Sequence, residues 1–229
     1  MIIKKYGIKL VRIKEKDIEL IRKKRNSSDI NNLMHDRKKI SPEMQKIWFA
    51  GVNNIYNNYF IIYHKNKKIG LINGKNSDYT KRQSEGGMFI WDKNYWDTAI
   101  PALCSVIMSD FTFLITNFNR NYIKILKSNK KAIQHNLFLG YVPTNDLECD
   151  EETQWYVLTK ENYLKRIPKL RKGAKVITKD GEPLTIHNID FSDDNKEDFE
   201  KLYKPLPQYV RKTVLQILKL NNSNLFIHL

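Results

Sequence analysis

Cysteine is nearly missing: the 229-residue chain has two, Cys104 and Cys149. Two cysteines make no disulfide framework, and neither has metal-ligand spacing. Cys104 sits in an apolar run and reads as a core residue. Long apolar runs are missing too. No stretch approaches the roughly 18 residues that a membrane-spanning helix needs. The opening segment, MIIKKYGIKLVRIKEKD, lacks the apolar block of a signal peptide. The expectation is a soluble, cytoplasmic protein in a reducing compartment. Acids are in deficit, 25 against 40 Lys and Arg, for a formal charge of +15. That excess suits a polyanionic partner: a nucleotide cofactor, an acidic substrate, nucleic acid or an anionic membrane. A Lys-rich surface in a chain biased toward Lys, Asn and Ile accounts for it equally well. No base-stacking pattern singles out nucleic acid, and no such partner is expected. Hydrophobic residues at 41% and aromatics at 11% exclude a disordered chain.

Glycine is missing where a phosphate-binding turn would want it. YWDTAIP, residues 95–101, lies between a strand-like EGGMFIWD and the long apolar run ALCSVIMSDFTFLI, and holds none. A strand, a turn and a helix in that order cradle phosphate when the turn is glycine-rich. Elsewhere the patterns are regular. IKLVRI (8–13) alternates as a strand does, and EKDIELIRKKRN follows as a short helix with Ile18 and Ile21 on one side. SPEMQKIWFAGVNNI starts cleanly: Ser41 caps, Pro42 takes the first helical position and Glu43 suits the positive end. Met44, Ile47, Trp48, Val52 and Ile55 read as its apolar face. YFIIYHKNKKIGLING reads as two strands joined by the turn KNKK. A helix over 101–117, a strand over 121–127, a short helix stopping at Gly140 and a strand over 152–159 complete a mixed α/β domain over 1–159. Residues 160–229 form an extension: six bases in 165–175, then an acidic cluster, then a helical stretch broken by two prolines. Val210, Val214, Leu215, Ile217 and Leu218 make an apolar face there that must be covered by the main domain or by a second subunit, so a homodimer through this extension is one expectation.

The order of elements, with four strings, resembles the GNAT superfamily of acetyl-CoA-dependent N-acetyltransferases over roughly residues 7–159. The strings are DIELIRKKRNSSDI, ISPEMQKIWF, EGGMFIWDKNYW and LKSNKKAIQHNLFLGY. They are similar to the first helix, the second helix, the central strand with its run into the cofactor loop, and the later strand-to-helix segment of those enzymes. The resemblance implies an α+β fold with a mostly antiparallel sheet flanked by helices. It implies that two central strands splay apart and that acetyl-CoA, the co-substrate, lies in the gap. Pantetheine would pair with the strand at Met88, Phe89, Ile90 and Trp91. Its pyrophosphate would dock on amides of the next turn and helix start, the positive end of a helix.

The family loop has the form Gln/Arg-x-x-Gly-x-Gly/Ala. Laid on this chain it falls on Trp96, Ala99 and Pro101. Trp96 replaces the basic or amide residue, Ala99 takes a positive φ only at a cost, and Pro101 has no N–H. Asp97 adds a negative charge. The cofactor site expected from the resemblance is Phe89, Ile90 and Trp91, then Trp96, Asp97, Thr98, Ala99 and Ile100, then Asn129, Lys130 and Lys131. Asn129 matches a position that contacts the CoA arm, and the two lysines would pair with phosphates. Glu85, at the start of the central strand, matches the place of a general base. Asn136 takes the place of the Tyr that in many relatives protonates the thiolate, and an amide can only hydrogen-bond there. His135, about 100° round the helix from it, reads as a surface residue. Arg25, His35, Arg37 and Trp48 are the substrate-binding candidates, the arginines for phosphate or carboxylate and Trp48 for stacking or core packing.

The expected activity is transfer of an acetyl group to a primary amine in a ternary complex. The expected acceptor is an amino-sugar nucleotide, with a protein N-terminus as the alternative. A third reading is a catalytically inactive GNAT-like domain used for binding or assembly. No metal is expected.

Overall fold

The computed structural model describes residues 1–221. Nine strands form one sheet in the order β7-β8-β6-β5-β4-β3-β2-β1-β9. They are β1 (Ile2–Lys5), β2 (Ile8–Arg12), β3 (Asn58–His64), β4 (Lys67–Asp78), β5 (Gln83–Ile90), β6 (Arg120–Leu126), β7 (Val142–Thr144), β8 (Thr153–Thr159) and β9 (Ile189–Asp190). All neighbours pair antiparallel except β5 and β6. Two tight hairpins set the register of the first half. Tyr6 and Gly7 turn β1 into β2 with φ of 53° and 74°, and Lys65 and Asn66 turn β3 into β4 with φ of 47° and 62°. Paired positive φ values of this kind match the right-handed twist of the strands they join.

The two faces of the sheet are covered differently. Helices α1 (Ile18–Arg25), α2 (Ser28–Asn31) and α3 (Pro42–Val52) connect β2 to β3. On their face Ile13, Ile21, Tyr59, Ile61 and Leu71 pack with Trp48, Phe49, Val52, Phe89 and Trp91. The opposite face carries the main core, built from α4 (Ile100–Asp110), α5 (Lys130–Leu139) and the C-terminal helices. These last are α6 (Lys160–Thr178), α7 (Lys196–Leu202) and α8 (Gln208–Leu220).

Helix α3 is rotated from the face its apolar residues suggest. Met44 is 48% exposed and Ile47 73%, whereas Gln45 is buried and Trp48, Phe49 and Val52 pack inward. The stripe that counts is 45, 48, 49 and 52, and a glutamine opens it. The expected helix over 101–117 ends as α4 at Asp110 and continues as one π turn, Phe111–Ile115. The basic stretch 165–175 lies within α6, which carries Pro168 in its interior at the loss of one helical hydrogen bond.

The C-terminal segment belongs to the same core. Val210, Val214, Ile217 and Leu218 of α8 are buried against the rest of the chain, so these residues of the face expected to need a partner are covered from within. Strand β9 pairs with β1, Ile2 opposite Asp190 and Ile3 opposite Ile189. The Met1 amine is buried against Asp194, which also accepts from Tyr203 Oη at 2.7 Å. Residues 222–229 of the expected extension lie outside the described residues.

Asp110, at the end of α4, is fully buried and ties this segment down. It accepts from Tyr163 Oη (2.7 Å), Arg171 Nη2 (3.0 Å) and the Leu184 amide (2.8 Å). Burial together with the neighbouring carboxylate pushes the Tyr163 phenol up, which keeps it a donor. Removing one partner of a buried, hydrogen-bonded charge pair leaves the other uncompensated. Asp110→Ala is therefore expected to lower unfolding free energy by about 3 kcal/mol, measured by urea titration. A loss under about 1 kcal/mol would mean that the cluster does not fasten the C-terminal segment.

Candidate active site

Strands β5 and β6 are paired over only three residues, Gln83 with Arg120, Ser84 with Asn121 and Glu85 with Tyr122. Beyond that β5 runs on to Ile90 and β6 to Leu126 without contact in the ladder. The sheet opens there into a wedge whose β5 wall presents unpaired backbone groups.

The apex of the wedge is built around two glycines. Gly86 faces the α4 side, and a Cβ on it would lie 2.7 Å from Asn121 Oδ1. Asn121 is buried and saturated: it donates to Ser84 Oγ (2.8 Å) and accepts from Tyr141 Oη (2.6 Å). Burial pushes the Tyr141 phenol up, so it stays protonated. Gly87 faces the α3 side, and a Cβ there would lie 3.1 Å from Asn73 Nδ2. Neither asparagine nor Tyr141 stands out in the sequence. The paired glycines inside a strand are the signal, since such glycines mark a close approach.

At the open end of the wedge the YWDTAIP turn leads into α4. Thr98 N bonds Tyr95 O, and Ile100 N bonds Thr98 Oγ1 at 3.2 Å. The amides of Asp97, Ala99 and Ala102 find no hydrogen-bond partner among the described residues. With the positive end of α4 they form an anion-ready corner. Trp96 points back instead, donating from Nε1 to Ile90 O at 2.7 Å. Ala99 keeps an ordinary φ of −72°, so no left-handed residue is needed in this turn. Lys131 reaches across from α5 to Asp97, 2.9 Å, with both side chains largely exposed. Asp97 and Lys131 thus meet, and the acid's charge is offset by the lysine. Asn129 caps α5, accepting from the Ala132 amide at 3.1 Å, and Lys130 is exposed beside it.

The α3 face of the wedge holds the remaining chemistry. Register places Glu85, Gly87 and Phe89 of β5 on that face with Asn73 and Lys75 of β4, Tyr59 of β3 and Tyr122 of β6. Glu85 is bonded to Lys75 Nζ (3.1 Å) and Asn76 Nδ2 (3.0 Å). Trp48 meets Tyr59 edge-on, ring centroids 5.1 Å apart, and burial first, then the nearby Glu85 charge, pushes Tyr59 up to about 12. The apolar cover of this face is broken. One cluster lies under α1 and α3, and a second, Tyr122, Trp155 and Val157, lies on the far arm. Glu85 sits between them.

Arg25 and Arg37 face their own loop. Arg25 donates to Asn31 Oδ1 (2.8 Å) and to the Asp36 carbonyl. Arg37 lies 4.0 Å from Glu152, and His35 lies 3.0 Å from Asp150, which also holds Lys124 at 3.1 Å. The loop between α2 and α3 is so linked to the acidic loop before β8, across the wedge. Asn136 bonds back to Ala132 O at 2.8 Å. His135 is not a surface residue: it packs between α5 and α4, 3.0 Å from Ser105 Oγ, and burial pulls its pKa below the usual value. Burial thus favours the neutral imidazole.

No metal-binding group of three or more His, Cys, Asp or Glu occurs among the described residues, and no helix there is long and apolar enough to cross a membrane. Gly86→Ala is expected to cost about 1–3 kcal/mol, because Asn121 is held at both ends and cannot step aside. Gly87→Ala meets a looser neighbour and is expected to cost less. Equal thermal midpoints for Gly86→Ala and the parent would refute the crowding at the apex.

No protein-family model matches the chain, and no curated protein matches it in sequence. Solved structures do. The spermidine N-acetyltransferase of Vibrio cholerae, solved with CoA and spermine, superimposes with a TM-score of 0.60 at 16% identity, covering 70% of this chain and 99% of that one. A domain from Methanocaldococcus jannaschii gives 0.57 at 19% identity, covering 66% and 97%. A protein described as a probable acetyltransferase gives 0.57 at 16%, covering 70% and 98%. The chain has the fold of the GNAT N-acetyltransferases over the matched 66–70% of its length.

Proposed function

We propose that this chain is an N-acetyltransferase that moves an acetyl group from acetyl-CoA to a primary amine by direct transfer. The observation that carries the reading is the wedge itself: a parallel pair that parts after three residues, with a carboxylate at its apex and unpaired amides at its open end. The co-substrate supplies an acetyl thioester. The amides of Asp97, Ala99 and Ala102 with the α4 dipole suit its pyrophosphate, and Lys131 reaches the same turn through Asp97. The β5 backbone near Phe89 and Ile90 suits pantetheine and offers an N–H to the thioester carbonyl as negative charge gathers on its oxygen. Glu85, bonded to Lys75 and Asn76, takes the proton that the ammonium must lose before it attacks, directly or through water. The C–N bond forms as the C–S bond breaks, and the sulfur leaves as thiolate near Asn136 and takes up the second proton that the nitrogen sheds on becoming an amide. The second N–H of Asn136 is available to the sulfur.

A small cationic amine is the acceptor the side chains favour. Arg25 and Arg37 are spent on their own loop and on Glu152, which leaves neither for a diphosphate. The loop facing them carries Asp146, Glu148, Asp150, Glu151 and Glu152. The Vibrio cholerae neighbour was solved with spermine, a molecule of this class. A nucleotide-linked amino sugar is therefore the weaker candidate. The links from His35 to Asp150 and from Arg37 to Glu152 bridge the wedge and narrow it for a peptide.

The test is isothermal titration with acetyl-CoA, then thiol release with spermidine, a UDP-linked amino sugar and a short peptide. Binding and turnover of an amine are expected. Absence of acetyl-CoA binding at hundreds of micromolar would leave only the inactive-domain reading. Glu85→Gln should lower kcat about 100-fold while acetyl-CoA still binds, the usual size of a general-base loss. Unchanged turnover would remove Glu85 as the base.

A further inference from the structure

Two asparagines flank the apex of the wedge, one on each face, and they are not equivalent. Asn121 presses on Gly86 from β6 and has its amide fully used by Ser84 and Tyr141. Asn73 leans over Gly87 from β4, and its Oδ1 is buried without a hydrogen-bond partner. An unpaired buried carbonyl oxygen costs about 1–3 kcal/mol, so a site that keeps one has a use for it. Asn73 can lean over β5 only because position 87 has no Cβ, so the glycine and the asparagine work as a pair.

The neighbours of that oxygen define what it receives. Asn73 is opposite Gly87 on one side and Tyr59 on the other, one pleat from the Lys75–Glu85 pair. Trp48 closes on Tyr59 from α3. The face thus presents a carboxylate, a carbonyl oxygen and aromatic rings. Acceptor oxygens and ring faces together suit an N–H-rich cation, and Lys75, the cation beside them, is already paired with Glu85. Asn73 also lies on the α3 face, whereas the anion-ready amides lie at the α4 end.

We infer that Asn73 binds the acceptor: its Oδ1 accepts one N–H of the substrate's primary ammonium group beside Glu85, fixing the nitrogen at the apex of the wedge. This rests on the acetyltransferase reading. While Glu85 removes one proton, Asn73 keeps hold of another, so that the freed lone pair turns toward the gap where the thioester carbonyl sits. Asn73 is thereby a specificity-determining residue for a cationic amine. Gly87 is its partner.

The experiment is steady-state kinetics of parent, Asn73→Leu and Asn73→Asp, with spermidine and with a UDP-linked amino sugar as acceptors. Acetyl-CoA affinity and thermal midpoint are measured on each variant. Asn73→Leu keeps the size and loses the oxygen, so acceptor KM should rise roughly tenfold or more, as for loss of a hydrogen bond to a charged group. Acetyl-CoA affinity should stay within about twofold, because the cofactor corner is untouched. Asn73→Asp keeps the oxygen and should keep spermidine KM at or below the parent value. An acceptor KM for Asn73→Leu within twofold of the parent overturns the inference. So does an equal loss of acceptor and acetyl-CoA binding, which would mark a structural role. If Asn73→Leu does not fold, Asn73→Asp decides: a tenfold higher spermidine KM counts against the inference. A parent enzyme that acetylates no amine defeats the functional reading itself, and this assignment falls with it.

Discussion

The molecule depends on an interrupted ladder. A sheet that stops pairing in its middle leaves backbone donors and acceptors facing a gap, and nothing in the backbone explains why the strands do not close up. Here side chains hold them apart. Asn121, fixed by Ser84 and Tyr141, occupies the space beside Gly86 where a closer approach would have to come. On one wall Ile90 and Met88, on the other Ile123 and Ile125, anchor each strand separately into the core under α4. The wedge is thus held open by a small buried polar network within a large apolar face. Such a network specifies one geometry because a partial set of its bonds is worse than none.

That rigidity extends through α4. The helix begins at the anion-ready turn and ends at Asp110, which Tyr163, Arg171 and the Leu184 amide grip from the C-terminal segment. The segment beyond β8 therefore steadies the same helix whose first turn faces the wedge. Solved neighbours with this fold match about seventy per cent of the chain and nearly all of themselves.

The sequence exposes its elements better than its contacts. The KNKK turn, the Ser41 cap, the Gly140 stop and the alternation of β2 are all local, and all are found where the pattern puts them; β1 and its Tyr6–Gly7 turn carry no such signal. The facing of α3 is not local. Trp48 and Val52 point in as expected, but Gln45 is buried and Ile47 is exposed, because the sheet beneath sets the rotation. The arginines mislead for a similar reason. Arg25 and Arg37 look free in a list of residues, yet loop carbonyls and Glu152 claim them, and those partners are fixed only by the chain's path. The loop without glycine turns out to need none, since Ala99 sits at a negative φ. Asn73, Asn121 and Tyr141 carry no motif. Their importance comes from meeting two glycines across strands far apart in sequence.

The pairing of β9 with β1 fixes the order in which this chain can mature. Ile2 faces Asp190 across the ladder, a separation that spans most of the polypeptide. During synthesis the first hairpin emerges with one edge bare, and that edge stays bare until residues near 190 have left the ribosome. An uncovered strand edge is a template for pairing with other chains. The late-arriving segment therefore acts as the cap that ends sheet growth. Contacts this distant in sequence also require a long loop closure, which slows folding.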